Sequence, residues 1–342
     1  MFSQIGNEEQ NVASVTEGFS HRLRGLRSLR FPPIVGPLIV LIVLVVIITI
    51  INPRFISPIN LANLARQSSI LIIIALGETF IILMGSIDLS IEGNMALTSV
   101  IIGIFAANYF NSNDFGIWAV MLAVLAGTLM GLLSGIFVTK LRIPSFMATL
   151  GMWYVGLGLA TWLSNGMNLP LLDPMILSWA RGSIGPIPTL TFFGIAMFLL
   201  AFFIERFTRL GRYIFAIGGG EDRAKLAGIP INKYKIMAFT LSGFFLGVGG
   251  VLNSARIGAG TSTAGLNQLF AAITAVVVGG TALTGGTGGV VQTLIGALIV
   301  IVIGNGMILV GFHSYYQLAV QGVIITIAVI LTLDRSKLPY IK

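Results

Sequence analysis

Long apolar runs, too many and too long for the core of a soluble domain, constrain the fold of this chain most. A helix needs about 20 apolar residues to cross the hydrocarbon core of a bilayer. Only 9% of the residues are charged and 56% are hydrophobic, which indicates an all-α integral membrane protein. We predict about ten transmembrane helices, some of them broken, at residues 34–51, 61–84, 95–107, 116–138, 145–163, 187–204, 236–255, 269–280, 290–310 and 318–333.

The distribution of positive charge predicts the orientation of these spans. Loops on the cytoplasmic side of a membrane carry an excess of Lys and Arg. With the N-terminus inside, 16 of the 20 Lys and Arg residues fall on the cytoplasmic side. We therefore expect cytoplasmic tails at residues 1–33 and 334–342, and a transmembrane domain at residues 34–333. The net charge of +8 then reflects orientation and attraction to anionic lipid, and we expect no nucleic-acid partner.

The longest polar segment inside the apolar sequence lies at residues 205–235 and is predicted to be a cytoplasmic loop. Residues 221–227 have acids in their first turn and a cation near their end, followed by Gly228 as a C-cap and Pro230 as a stop. So short a helix does not persist alone in water, because nucleation costs more than its few hydrogen bonds return. We expect it to dock on a partner; the alternative is a solvated loop whose charges only enforce topology.

Two segments interrupt the apolar pattern, at residues 84–94 and 279–289, and both are rich in glycine and hydroxyl side chains. Non-helical backbone at membrane depth persists only where protein buries it or where it lines a cavity. Paired interruptions in two halves of a transporter are the usual sign of a translocation path. The alternative is a pair of tight interhelical turns, and for the uncharged second segment both interpretations stay open.

Polar side chains within the apolar runs are candidates for lining a path. A carboxylate at membrane depth costs on the order of 3 kcal/mol unless it faces protein or water. Asp88 is more simply a turn residue, whose side chain caps nearby backbone N–H groups. The transport-path candidates are Gln67, Ser68, Glu78, Asp88, Ser90, Asn94, Thr274, Gln292 and Asn305.

Catalytic, nucleotide-binding and metal-binding motifs are missing from the sequence. It contains no phosphate-binding Gly-x-x-x-x-Gly-Lys-Ser/Thr loop, no His-Glu-x-x-His pair and no cysteine. We expect no catalytic residues, no metal site and no cofactor in this chain, and an enzyme or a passive scaffold has little support.

Three ordered segments carry a resemblance to a known family. GSIDLSIEG at residues 85–93, the polar segment at 211–235 and the glycine-rich segment at 271–289 resemble the ribose-type permeases of bacterial ABC importers. The resemblance implies a permease similar in fold to the cobalamin-importer class, in the bacterial inner membrane. It also implies a second permease copy, a periplasmic binding protein that delivers a monosaccharide, and an ABC ATPase, as two subunits or a fused tandem, that holds ATP and Mg²⁺.

The same resemblance implies that the short helix of the polar segment is a coupling helix that enters a groove on the ATPase. In this interpretation its charged residues make polar contacts, while Ala224, Leu226 and Ala227 pack into the groove. A permease for autoinducer-2 is an alternative within the family, and an ion-coupled transporter that uses Glu78, Asp88 or Glu92 is an alternative outside it. The predicted coupling residues are Gly220, Glu221, Asp222, Arg223, Ala224, Lys225, Leu226, Ala227 and Gly228.

Overall fold

A computed structural model describes residues 34–313, 316–320, 322–324 and 326. Over these residues the chain is mainly helical, with four two-residue strands at the ends of helices. The helices are α1 (Val35–Ile51), α2 (Pro58–Leu83), α3 (Ile91–Phe105), α4 (Ile117–Lys140), α5 (Ser145–Ser164), α6 (Pro174–Arg181), α7 (Thr189–Phe207), α8 (Arg209–Gly219), α9 (Glu221–Leu226), α10 (Ile231–Ile257), α11 (Gln268–Val278) and α12 (Val290–Leu309).

Local sequence signals set several helix boundaries. Ser57 precedes α2 and accepts a hydrogen bond from the backbone N–H of Asn60, while Pro58 occupies the first helical position. Asp173 caps α6 in the same way, through the N–H groups of Met175 and Ile176. These caps satisfy N–H groups that have no partner inside the helix.

The predicted spans correspond to helices throughout the part of the chain that is described. Among the described residues, six helices are long and apolar enough to cross a membrane, namely α2, α4, α5, α7, α10 and α12, while α1, α3 and α11 are apolar but shorter. These helices confirm an all-α membrane protein. The predicted tenth span, residues 318–333, lies mostly outside the described residues, as do the tails at 1–33 and 334–342; residues 316–320, 322–324 and 326 are helical.

The structure corrects one boundary and adds one helix. Helix α3 begins at Ile91, four residues before the predicted start, so the first interruption is only residues 84–90 and Glu92 and Asn94 are helical. The polar segment also contains a second helix, α8, where only a loop was expected. Its apolar residues include the buried Ile214 and Ile217, so α8 is amphipathic and its packed face stabilises it.

Helix α2 forms the centre of the bundle and is buried along most of its length. Around it, α4 and α10 approach each other closely through facing glycines. A Cβ atom on Gly127 would lie 2.8 Å from the Cα of Gly247, and one on Gly243 would lie 2.9 Å from the Cα of Gly131. Small residues at such a crossing let helix backbones approach closely, which is how membrane helices gain packing energy without a hydrophobic driving force.

The bundle has two distinct ends. At the β end, β1 (Leu169–Pro170) pairs with β4 (Ala259–Gly260), and β2 (Ser183–Ile184) pairs with β3 (Ile187–Pro188). At the α8–α9 end lie the polar segment and both interruptions. Each end carries one group of candidate functional residues.

Candidate functional site

The two interrupted segments meet at the α8–α9 end. The first, residues 84–90, follows α2, and the second, residues 279–289, precedes α12. The N–H of Gly286 donates a 2.8 Å hydrogen bond to the carbonyl oxygen of Leu83. A Cβ atom on Gly85 would lie only 3.3 Å from the backbone of the second segment. The two segments therefore form one backbone-to-backbone joint, the glycine junction, which supports the interpretation as interhelical turns.

Helix α8 packs on the glycine junction with its last turn. A Cβ atom on Gly218 would overlap the carbonyl oxygen of Leu83 and would lie 2.5 Å from the backbone nitrogen of Gly286. Only a glycine fits there without displacing the junction. Helix α9 begins immediately after Gly220, so α8 connects it to both interrupted segments.

Glu205, near the end of α7, reaches the start of α12. One of its carboxylate oxygens accepts a 2.6 Å hydrogen bond from the backbone N–H of Val290. The N-cap residue of α12 is Gly289, which has no side chain for capping, and the first turn of α12 contains no acid. A carboxylate at a helix N-terminus satisfies free N–H groups and interacts favourably with the helix dipole. Glu205 thus caps α12 from another helix, a contact that its position in the sequence does not reveal.

Helix α9 forms where the sequence predicts a short helix. Gly228 follows it with a φ of +75° and Pro230 precedes α10, so the predicted end signals are confirmed. The chain itself holds this helix in place, because Lys235 Nζ lies 2.6 Å from Glu221 Oε2 and the side chain of Ala224 is buried in the core. A docked partner is therefore not required for α9 to persist.

The predicted coupling residues separate into one buried side chain and an exposed group. Ala224 is only 4% exposed, so the expectation that it packs into the ATPase is wrong. Leu226, in contrast, is 89% exposed, the most exposed of the large hydrophobic residues that the structure describes. The other exposed members are Glu221, Asp222, Arg223, Lys225, Ala227 and Gly228, and Gly220 forms the turn before the helix.

Asp88 and Glu78 lie beside the glycine junction and are fully buried. Asp88 Oδ1 accepts hydrogen bonds from the N–H of Ser90 at 2.8 Å and from its hydroxyl at 2.6 Å, and Oδ2 accepts one from Ser242. These bonds support the structural role of Asp88. Glu78 Oε1 accepts from the N–H of Asp88 at 3.4 Å, whereas Oε2 has no hydrogen-bond partner among the described residues. Among the described residues, no group of three or more His, Cys, Asp or Glu side chains could hold a metal ion.

A polar cavity of about 170 Å³ lies towards the β end, between α2, α11 and α12. Asn305 reaches it and exchanges two hydrogen bonds of 2.9 Å with Asn60. Arg256 is oriented by Asn253, whose Oδ1 accepts from two guanidinium nitrogens at 3.1 and 3.2 Å. The polar side chains that line the cavity are Gln67, Arg256, Asn267, Gln268, Asn305 and Gln317.

The remaining candidates lie elsewhere. Ser68 faces a larger groove of about 440 Å³ whose lining is almost entirely apolar, and Asn94 joins α3 to α4 through the carbonyl oxygen of Gly127. Thr274 lines a small void that shares Gln317 with the polar cavity. Gln292 is close to Gly289 at the α8–α9 end. The nine path candidates are thus distributed over separate regions, and the described chain brings only Gln67 and Asn305 together in one cavity.

Four cavity residues were missed as path candidates, namely Arg256, Asn267, Gln268 and Gln317. A signal for Asn267 and Gln268 exists, because they stand directly before the apolar run of α11. Arg256 also has a signal in the sequence, since it is one of four basic residues predicted to face away from the cytoplasm, the others being Arg54, Arg66 and Arg181.

Comparisons with known proteins identify the family. A family model described as "Branched-chain amino acid transport system / permease component" matches residues 60–329. The chain belongs to this family. The permease is therefore a transport component and a multi-pass membrane protein, and the predicted resemblance to ribose-type ABC importer permeases is confirmed by its relatives.

The ribose import permease protein RbsC of Escherichia coli (strain K12) is 38% identical over 304 residues, which cover 88% of this permease and 93% of the relative. RbsC of Bacillus subtilis (strain 168) is 37% identical over 305 residues, with 89% and 93% covered. The galactose/methyl galactoside import permease protein MglC of Escherichia coli (strain K12) is 32% identical over 295 residues, with 82% and 88% covered. No solved structure matches this permease.

Proposed function

We propose that this chain is the transmembrane permease subunit of an ATP-driven ABC importer for a monosaccharide. The observation that carries the proposal is the similarity, over most of both chains, to permeases named for ribose and for galactose. This similarity favours a monosaccharide over autoinducer-2, and an ATP-driven importer over an ion-coupled transporter.

The importer assembly that we propose contains an ABC ATPase, as two subunits or a fused tandem, and a periplasmic substrate-binding protein. A second copy of this permease, or a homologous one, completes the membrane part. ATP and Mg²⁺ bind to the ATPase, because the sequence of this chain has no phosphate-binding loop.

Ten spans in the bacterial inner membrane, with both termini in the cytoplasm, agree best with the charge distribution and with the described helices. The α8–α9 end is then cytoplasmic, because it carries most of the basic loop residues. The domain from residue 34 to residue 333 is a single transmembrane unit, and we expect a fold similar to that of the cobalamin-importer permeases.

Helix α9 provides the surface for the ATPase in this proposal. Its exposed Leu226 supplies an apolar anchor, and Asp222, Arg223 and Lys225 surround it with charges of both signs. Burying one leucine side chain is worth about 1.5–3 kcal/mol. Ala224 has a different role, which is to hold α9 against the permease.

The polar cavity is the part of the substrate path that this chain forms towards the periplasm. Carboxamide and guanidinium groups donate and accept the hydrogen bonds that sugar hydroxyls require. Gln67, Gln268 and Asn305 supply the carboxamides, and Arg256 supplies the guanidinium.

Uptake into proteoliposomes tests the proposal. Labelled ribose, galactose and autoinducer-2 are offered to the permease alone and to the permease with its ATPase and binding protein. We expect ATP-dependent uptake of one monosaccharide by the full assembly only. Uptake by the permease alone along an ion gradient would refute the importer function, and uptake of autoinducer-2 alone would refute the substrate class.

A further inference from the structure

We propose that Glu205 is the positioning residue that transmits the movement of the coupling helix to α12 during transport. This inference rests on the proposed importer function and assigns to Glu205 a role in ATP-driven coupling. It follows from three features of the structure: the cap that Glu205 provides, the packing of α8 beside it, and the course of α12 through the protein.

The cap on α12 is supplied by another helix. Val290 donates its N–H to Glu205 at 2.6 Å, across 85 positions of the sequence, whereas the local N-cap residue Gly289 makes no side-chain hydrogen bond. A Cβ atom on Gly289 would lie 2.8 Å from Glu205 Oε1, so the glycine also gives the carboxylate room to approach. A charge-assisted hydrogen bond of this kind is stronger than one between neutral groups.

Glu205 is also in direct contact with the start of α8. The Cα of Glu205 would lie 2.7 Å from a Cβ atom on Gly211, in the first turn of α8, and the helix is capped by Thr208, three residues after Glu205. At its other end α8 packs on the glycine junction and leads directly into α9. A displacement of α9 therefore moves α8, and Glu205 lies at the end of α7 that contacts both the start of α8 and the first residue of α12.

Helix α12 connects the two ends of the permease. Its 20 residues extend about 30 Å at 1.5 Å per residue. Val290 at its first position contacts Glu205, while Gly304 and Asn305 near its last turn line the polar cavity. A shift of its capped end is thus carried along a rigid element to the proposed substrate path.

The experiment uses the full assembly of permease, ATPase and binding protein in proteoliposomes, with the Glu205→Gln and Glu205→Ala variants. We expect both variants to retain the ATPase and to hydrolyse ATP. Uptake per ATP should fall about threefold in Glu205→Gln, which keeps an acceptor but loses the charge, and about tenfold or more in Glu205→Ala. Asp114→Asn, at an exposed carboxylate in the loop after α3, is the control for loss of a negative charge.

A second substitution separates coupling from simple helix capping. Gln292 is the third residue of α12, and Gln292→Glu would place an acid in its first turn, where it stabilises the N-terminus from within α12 rather than from α7. In the Glu205→Ala background we expect this change to restore thermal stability but not uptake, with Gln292→Glu alone as the reference.

Normal uptake per ATP in Glu205→Ala, or uptake restored by Gln292→Glu, would overturn the role of Glu205. If Glu205→Ala cannot be purified, Glu205→Gln decides, because unchanged uptake per ATP in that variant also overturns the role. An unmodified assembly that shows no ATP-dependent uptake would instead refute the importer function itself.

Discussion

The α8–α9 end and the polar cavity accommodate the polar groups of a membrane protein in opposite ways. At the glycine junction, backbone contacts backbone and little space remains between the segments. In the cavity, carboxamides and one arginine surround open space, and hydrogen bonds of Asn305 with Asn60 and of Arg256 with Asn253 hold the lining in place. The first arrangement transmits displacement, because closely packed groups cannot yield independently. The second leaves donors and acceptors available to a passing ligand.

This difference predicts unequal responses to mutation. A larger side chain should be damaging at the glycine junction, whereas the loss of a hydrogen-bonding group should be damaging in the cavity. Four substitutions test the contrast, and the Glu205 variants test the connection between the two regions.

The largest effect is expected at Gly218. Replacing it with Ala places a Cβ atom against the carbonyl oxygen of Leu83, so α8 must separate from the junction. We expect a loss of about 1–3 kcal/mol in the free energy of unfolding, together with most of the uptake, because overpacking forces the backbone to move. Gly219→Ala is the matched control, since a Cβ atom on Gly219 meets nothing within 4 Å. Equal thermal stabilities of the two variants would contradict the packing described for the junction.

A second effect separates the two faces of α9. Leu226→Asp should leave the thermal stability of the permease unchanged but weaken binding of the ATPase at least about tenfold, because an exposed apolar anchor is lost. Ala224→Asp should do the reverse in the isolated permease and lower its stability by about 1–3 kcal/mol, because it buries a polar group without a partner. Thermal unfolding and ATPase co-purification measure the two effects. Normal ATPase binding by Leu226→Asp would show that α9 is not the docking surface.

The smallest effect is expected in the cavity. Gln268→Leu removes a carboxamide from the lining with little change in volume. We expect the concentration for half-maximal uptake to rise about three- to tenfold, with stability nearly unchanged, since one net hydrogen bond to the ligand is worth about 0.5–1.5 kcal/mol. Thr49→Val on α1, whose hydroxyl bonds only within its own helix among the described residues, is the control. An unchanged half-maximal concentration for Gln268→Leu would place the substrate path elsewhere.

The elements that the sequence predicts correctly are those with strong local signals. The apolar runs appear as helices wherever the chain is described, and Gly228 and Pro230 end α9 and precede α10 as expected. Helix α8 was missed because the charged residues of its segment indicate an exposed loop. Its apolar face is recognised only when the structure shows it packed on the glycine junction. The early start of α3 was missed because Glu92 and Asn94 look like loop residues, although the Nδ2 of Asn94 donates a hydrogen bond to the carbonyl oxygen of Gly127 on α4.

The candidate site was less predictable than the fold. Polarity inside apolar runs selected Gln67 and Asn305, which line the polar cavity, but it also selected Ser68 and Asn94, which face the apolar groove and a helix interface. Which side of a helix a polar residue occupies is set by its neighbours in space. A list of polar positions therefore contains both cavity residues and interhelical contacts.

The sequence by itself determined the class of protein, the approximate position of its spans and the family of the permease, because hydrophobicity and ordered motifs are properties of contiguous residues. Only the tertiary structure decided that Ala224 faces inwards, that two distant glycine segments form one junction and that Glu205 caps α12. These features depend on contacts between residues far apart in the chain, for example the 85 positions between Glu205 and Val290. Such contacts arise from packing, which no local pattern encodes.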